Sequence, residues 1–222
     1  MRVIAGSARG RPLRGPRGSG TRPTSDKVKG AIFSALETLL ASIEPTKGVG
    51  FLATGPPVGG RVGVEALESV WTGLRVLDLY AGTGALGIEA LSRGADRADF
   101  VDVSSGCQRL IRENLERTGL GSHGRVVGAA VLQVLDRPQA YGLDGPYEVV
   151  LVDPPYDDPT LEPTLAALAR GGLLASAALV VVEHSRRSAP AEAYDGLELI
   201  RRRRYGDTEV SYYLRRSVGD VG

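Results

Sequence analysis

Cysteine is nearly absent: Cys107 is the one thiol in 222 residues. A single thiol excludes an internal disulfide and a cysteine-built metal cage, so a cytoplasmic protein without a metal is expected. Long apolar runs are missing as well. No stretch approaches the ~18 residues of a membrane span, and Met1-Arg2-Val3-Ile4-Ala5-Gly6 lacks the apolar core of a secretory leader. No membrane partner is therefore expected. Lysine is scarce, with 3 residues against 24 arginines, and guanidinium forks suit phosphate. What remains is 42% apolar, enough for one sizeable core with a small appendage. Nothing in the sequence signals an obligate oligomer, and a monomer is expected.

The net charge of +1 is unevenly spread. Residues 1–30 hold Arg2, Arg9, Arg11, Arg14, Arg17, Arg22, Lys27 and Lys29 against the single acid Asp26, a net of +7 that leaves −6 on the other 192 residues. A basic arm on an acidic body is the electrostatic layout of a nucleic-acid binder.

Patterning divides the chain in three. Residues 1–44 read as a short strand-turn-strand, with Val3-Ile4-Ala5 as its first strand, followed by a helix. Thr24-Ser25-Asp26 supplies the helix start, and Val28, Ile32, Leu36, Leu39 and Leu40 fall at three- and four-residue steps. Residues 45–70, rich in Gly and Pro as far as Gly63, read as an irregular insertion. From 71 to 222, β-branched runs alternate with helical patterns. Strands are expected at 74–80, 98–103, 125–128, 147–152 and 178–183, with helices at 85–93, 106–118, 131–137 and 161–170. The segments 197–204 and 209–216 flank Gly206-Asp207 without a helix, as an antiparallel hairpin would. The implied fold is α/β: a seven-stranded, mostly parallel sheet with a terminal hairpin.

Two motifs carry chemistry. In Val76-Leu77-Asp78-Leu79-Tyr80-Ala81-Gly82-Thr83-Gly84-Ala85-Leu86-Gly87, a glycine loop joins a strand to a helix. Such loops bring backbone amides against a ligand. Gly82, Gly84 and Gly87 match the dinucleotide fingerprint, and Asp102, ending the next strand, would take ribose hydroxyls in either cofactor family. Asp78 favours S-adenosylmethionine, because a carboxylate at that strand end would receive a methionyl ammonium that nicotinamide cofactors lack.

The second motif is Asp153-Pro154-Pro155-Tyr156, which ends the apolar run Val149–Val152. An exocyclic base amine is a poor nucleophile, because its lone pair is delocalised into the ring. The Asp153 carboxylate and the Pro154 carbonyl would accept both amine hydrogens and stabilise the charge that grows on nitrogen. Tandem prolines stiffen the turn and remove competing amide donors. Tyr156 offers a flat face for an extruded base. By itself the motif leaves guanine, adenine and cytosine open.

Four blocks then resemble one family, the bacterial small-subunit ribosomal RNA guanine-N2 methyltransferases of the RsmD type. They are Arg2–Gly6 with Arg9-Gly10-Arg11, Arg22-Pro23-Thr24-Ser25-Asp26-Lys27-Val28-Lys29, Asp78–Ala95, and Val152–Tyr156. Val182-Glu183-His184 and Tyr205-Gly206-Asp207-Thr208 extend the match. The resemblance implies a Rossmann-like class I methyltransferase and N2-methylation of one guanine in 16S ribosomal RNA, with the small ribosomal subunit as partner. It implies cofactor contacts from Asp78, Tyr80, Ala81, Gly82, Thr83, Gly84, Asp102, Val103, Ala129 and Ala130. It implies catalysis by Asp153, Pro154, Pro155 and Tyr156, and RNA contacts from Arg9, Arg11, Arg14, Arg22, Thr24, Lys27 and Lys29. Three departures stand out: Lys27 and Gly30 replace the family's Arg and Glu, Ala129 replaces its adenine-contacting aspartate, and Tyr156 replaces its Phe. The competing readings are a DNA adenine-N6 or cytosine-N4 methyltransferase, an RNA binder that has lost catalysis, and a nicotinamide oxidoreductase. His123 reads as a surface residue and His184 as structural or mouth-lining.

Overall fold

The computed structural model describes residues 1–15, 26–43 and 69–216. Arg22, Thr24 and the stretch 44–68, which holds nearly all of the expected insertion, lie outside the described residues.

Eight strands form one sheet in the order β3-β2-β1-β4-β5-β8-β7-β6. The parallel half comprises β1 (Arg75–Leu79), β2 (Arg97–Val101), β3 (Gly124–Val127), β4 (Tyr147–Val152) and β5 (Leu174–Ser185). Strands β6 (Ala193–Tyr194), β7 (Leu197–Tyr205) and β8 (Thr208–Arg215) add an antiparallel edge. Alternation along each strand feeds two cores. Val76, Val149, Leu151, Val181 and Tyr212 face one layer. Leu77, Leu79, Val150, Val152, Val180, Val182 and Tyr213 face the other.

The first layer is covered by α1 (Asp26–Ile43), α2 (Ala85–Arg93) and α3 (Ser105–Thr118), through Ile32, Phe33, Leu36, Ile88, Leu91, Ile111 and Leu115. The second is covered by α4 (Val131–Asp136) and α5 (Leu161–Arg170), through Val134, Leu135, Leu165 and Leu168. Burying each such side chain contributes about 1.5–3 kcal/mol. The chain runs outward from β1 to β3 and then returns to β4 on the other side of β1. Between β1 and β4 lies the switch point, where such sheets bind ligands at their carboxyl edge.

The sheet has one strand more than the seven expected. Ala193 and Tyr194 pair with Glu198 and Leu197 across the tight Asp195-Gly196 turn. The Tyr194 hydroxyl holds this short strand down by donating to Glu162 at 2.8 Å. Strand β5 also begins four residues early. Ala177 has φ 59, and the β4–β5 register shifts between Tyr147 and Val149, so the strand crosses an irregularity that breaks its alternation.

Residues 1–15 differ more from expectation. Their hairpin is short: an antiparallel bridge joins Arg2 and Pro12, with the Val3 amide on the Arg11 carbonyl at 3.0 Å and the Leu13 amide on the Met1 carbonyl at 3.1 Å. The Ile4 and Ala5 amides, which a partner strand would take, donate instead to the Glu89 carboxylate of α2 at 2.8 and 3.0 Å. The segment therefore docks on α2. Gly6 makes the contact close: a Cβ there would lie 1.7 Å from the Ser92 carbonyl oxygen.

Candidate active site

One cleft of about 730 Å³ opens at the carboxyl edge of β1, β2, β4 and β5. It gathers Asp78, Tyr80, Ala81, Gly82 and Thr83 of the glycine loop, Asp102 and Val103 after β2, Ala130 after β3, and Asp153, Pro154, Pro155 and Tyr156 after β4. These residues lie up to 78 positions apart, and the sheet topology alone unites them.

Asp78 sits at the floor, 1% exposed. Its carboxylate accepts the Gly87 amide at 2.9 Å. Gly87 is required here, since a Cβ would lie 2.4 Å from the Phe100 ring and 3.0 Å from the Asp78 oxygen. Burial pushes the Asp78 carboxyl up to about 8; the Gly87 bond opposes that rise and the neighbouring Asp102 adds to it. A neighbouring cation would favour the ionised form of such a group.

Asp102 braces the wall. One oxygen accepts from the Gly82 amide and the other from the Ser104 amide, each at 2.8 Å. The carboxylate is thus fixed in direction and keeps further lone pairs for hydroxyl donors. Tyr80 follows β1 with φ 58. Its hydroxyl meets Thr160 and Thr164 of the α5 start at 2.7 and 2.8 Å. Val103 is 70% exposed and lines the cleft together with Val131 and Leu132.

Not every expected residue lines the cleft. Ala129 is buried behind it, and Gly84 caps α2. Neither is among the lining residues. Residues that the sequence did not single out for the site also line it, among them Met1, Ser104, Cys107, Val131, Leu132 and Glu183. Met1 arrives there because Glu89 anchors the following residues; its sulfur is 3.9 Å from the Thr83 hydroxyl. Glu183 had a legible signal, as a lone acid ending the apolar run Ala178–Val182.

The Asp153–Tyr156 turn is braced from two sides. The Asp153 amide donates to the Leu79 carbonyl at 3.4 Å. The Tyr156 hydroxyl lies 2.8 Å from the Thr208 hydroxyl of the β7–β8 turn, with the side chain half exposed. Beneath them His184 is neutral: Nδ1 donates to the Ser185 carbonyl at 2.9 Å, and Nε2 accepts from the Ser211 hydroxyl at 2.9 Å. Burial holds its pKa below the usual histidine range.

The basic residues separate. Arg9 and Lys27 are exposed. Arg11 is exposed but donates to the Arg117 carbonyl at 2.9 Å, and Arg14 pairs with Glu113 at 2.9 Å. The RNA contact expected of Lys29 is corrected: its side chain is wholly buried, with Nζ 3.0 Å from Glu89 and 2.8 Å from the Arg2 carbonyl. Position 29 lies on the inner face of α1 beside Ile32, Phe33 and Leu36, so its charge never reaches the surface.

The cleft fits S-adenosylmethionine. Asp78 is a buried acid suited to an ammonium, Asp102 is an oriented acceptor for ribose hydroxyls, and the Val103–Val131–Leu132 rim is apolar enough for adenine. Among the described residues, no group of three or more His, Cys, Asp or Glu is placed to hold a metal, and no helix is long and apolar enough to cross a membrane.

Comparisons with known proteins agree. The solved structure of yhhF from Escherichia coli superposes with a TM-score of 0.71 at 28% identity, covering 98% of each chain. The Bacillus subtilis protein YlbH is 32% identical over 216 residues, 97% of this chain and 100% of its own. Ribosomal RNA small subunit methyltransferase D of Escherichia coli is 28% identical over 220 residues, 99% of this chain and 92% of its own. The family model described as Conserved hypothetical protein 95 matches residues 1–214, and the chain belongs to that family, with the fold of the class I methyltransferases.

Proposed function

We propose that the protein transfers a methyl group from S-adenosylmethionine to the N2 amine of a guanine in small-subunit ribosomal RNA, on the assembled particle. The observation that carries this reading is the single cleft in which Asp153-Pro154-Pro155-Tyr156 faces the Asp78–Thr83 loop and Asp102. The ribosomal RNA in the name of the Escherichia coli relative supports the substrate class.

S-adenosylmethionine supplies an electrophilic methyl sulfonium. Asp78 receives the ammonium of its methionyl part, and Asp102 the ribose hydroxyls. Ala129 does not line the cleft, so the adenine would be held by Val103, Val131 and Leu132 and by backbone groups near Ala130. The Asp153 carboxylate and Pro154 carbonyl accept the two amine hydrogens, and Tyr156 stacks on the flipped base. They hold the nitrogen lone pair toward the methyl carbon. The cofactor would supply the methyl group and leave as a neutral thioether. The positive charge on nitrogen is stabilised by Asp153 and relieved when one proton leaves to the carboxylate or water.

The test is methyl transfer by the purified chain to small subunits from a deletion strain, with mass mapping of the RNA. One guanine fragment should gain one methyl. Transfer only to adenine, cytosine or DNA, or no transfer, overturns the reading. Asp153→Ala should abolish transfer and leave cofactor affinity within about threefold, since Asp153 acts on the growing charge.

A further inference from the structure

We infer that Glu183 accepts the ring N1–H of the target base, and that this contact makes guanine the base whose amine is methylated. The inference rests on the base-amine reading above and goes on to ask how the base is chosen.

The tetrapeptide alone does not choose. Guanine, adenine and cytosine each present an exocyclic NH₂, and two acceptors at Asp153 and Pro154 would hold any of them. The bases differ at the ring nitrogen beside that amine. Guanine N1 carries a hydrogen, whereas adenine N1 and cytosine N3 carry lone pairs. A carboxylate next to the amine site would bond to guanine and repel the other two.

The sheet places a carboxylate there. Val152 of β4 pairs in parallel register with Val182 of β5. The next residues, Asp153 and Glu183, therefore come level on neighbouring strands about 4.8 Å apart. Alternation puts both on the face of the sheet shared by Leu151 and Val181. Glu183 lines the same cleft as Asp153, Pro154, Pro155 and Tyr156 and is 8% exposed.

Its position is firm. Glu183 is paired with Val210 of β8, and the next residue, His184, is held by Ser185 and Ser211. A fixed, largely desolvated carboxylate discriminates strongly, because the wrong base sets a ring lone pair against its negative charge. Sites built to bond a substrate N–H reject analogues lacking it by as much as about 10⁴-fold.

The test uses 2-aminopurine, which keeps the 2-amine but has no hydrogen on N1. Small-subunit particles are assembled with guanine or 2-aminopurine at the mapped target, and kcat/KM is measured for each. The wild type should prefer guanine by at least about 10²-fold. In Glu183→Gln the carboxamide turns its NH₂ toward the bare N1, so the preference should shrink to within about tenfold, with S-adenosylmethionine affinity unchanged. Glu183→Asp retains a carboxylate and should keep the preference at a lower rate.

Equal rates of the wild type on the two particles would overturn the inference. So would a Glu183→Gln enzyme that is weakened uniformly but keeps the wild-type preference, which is the signature of a merely structural acid. A wild type that methylates neither base overturns the base-amine reading together with this one. Methylation of guanine with an unaltered ratio in the variant overturns only the role of Glu183.

Discussion

Lys29 Nζ lies 3.0 Å from Glu89 Oε2, and neither side chain has exposed surface. Glu89 also accepts the Ile4 and Ala5 amides and Arg93 Nε at 3.0 Å. One carboxylate thus ties the chain start and α1 to α2, the helix that opens at the cofactor loop. Ser92 reinforces the joint by donating to the Ala5 carbonyl at 2.6 Å and accepting from the Ala8 amide at 3.0 Å.

Glu89→Ala should be strongly destabilising, because it leaves the buried Lys29 ammonium with only the Arg2 carbonyl and takes the acceptor from two partly buried amides. The expected loss is about 3–5 kcal/mol, read from urea unfolding. An unchanged midpoint would show that the joint contributes nothing.

Salt dependence of binding to small subunits should sort the basic residues. Arg9→Ala and Lys27→Ala remove exposed charges and should each lower the slope of log affinity against log salt by about 0.7–0.9. Lys29→Met should leave that slope unaltered in molecules that remain folded, since its charge is spent on Glu89.

Cofactor affinity should rise with pH until Asp78 is ionised. Its carboxyl is held up to about 8 by burial, and an ammonium needs the carboxylate form. Affinity should climb as Asp78 ionises and fall again at higher pH, where the ligand's α-ammonium, with a pKa of about 8, loses its proton. Calorimetric titration of Asp78→Asn should show weak binding without this rise. The unliganded fold has the corresponding cost: between 3.8 and about 8 the folded carboxyl keeps a proton that the unfolded one has released. Stability therefore falls as pH rises through that window.

His184 acts in the opposite direction. Its folded pKa is lowered from 6.5, chiefly by burial, with Arg202 adding to the effect and the Ser185 carbonyl and Glu209 opposing it. The unfolded chain therefore binds the proton first. Its contribution is fully present above 6.5 and is lost as pH falls through the depressed folded value. His184→Gln should flatten this acid-side slope in urea unfolding between pH 5 and pH 7.

Tyr156 should separate stacking from anchoring. Tyr156→Phe keeps the ring and loses the 2.8 Å bond to Thr208, so kcat/KM should fall only a few-fold. Tyr156→Ala removes the stacking face, worth about 1–3 kcal/mol for a base on an aromatic ring, and should cost at least about tenfold. Equal losses would mean that the hydroxyl, not the ring, is what the site uses.

Much of this fold was legible because local patterning and global architecture agree. The alternating runs at 147–152 and 197–204 became β4 and β7 within one or two residues, and the spacing of Ile32 and Leu36 marked the inner face of α1. The eighth strand was hidden because two residues carry no period; its tight Asp195-Gly196 turn was the available signal. The N-terminal hairpin is shorter than its composition suggests for a different reason: the Val3 amide meets the Arg11 carbonyl across the turn, but the Ile4 and Ala5 amides meet the carboxylate of Glu89, 85 and 84 positions away.

What the sequence determined by itself was the chemistry on offer. It showed a glycine loop behind Asp78, an acid after the next strand, and a tandem-proline turn at Asp153–Tyr156, because each is written in contiguous residues. Which charges reach solvent and which acids share a cleft were decided only by the tertiary structure. Lys29 and Lys27 are indistinguishable in composition, yet helix phase buries one against Glu89 and exposes the other. Asp153 and Glu183 are 30 residues apart in the chain and level in the sheet. Strand register is a property of pairing between distant segments, and no local pattern encodes it.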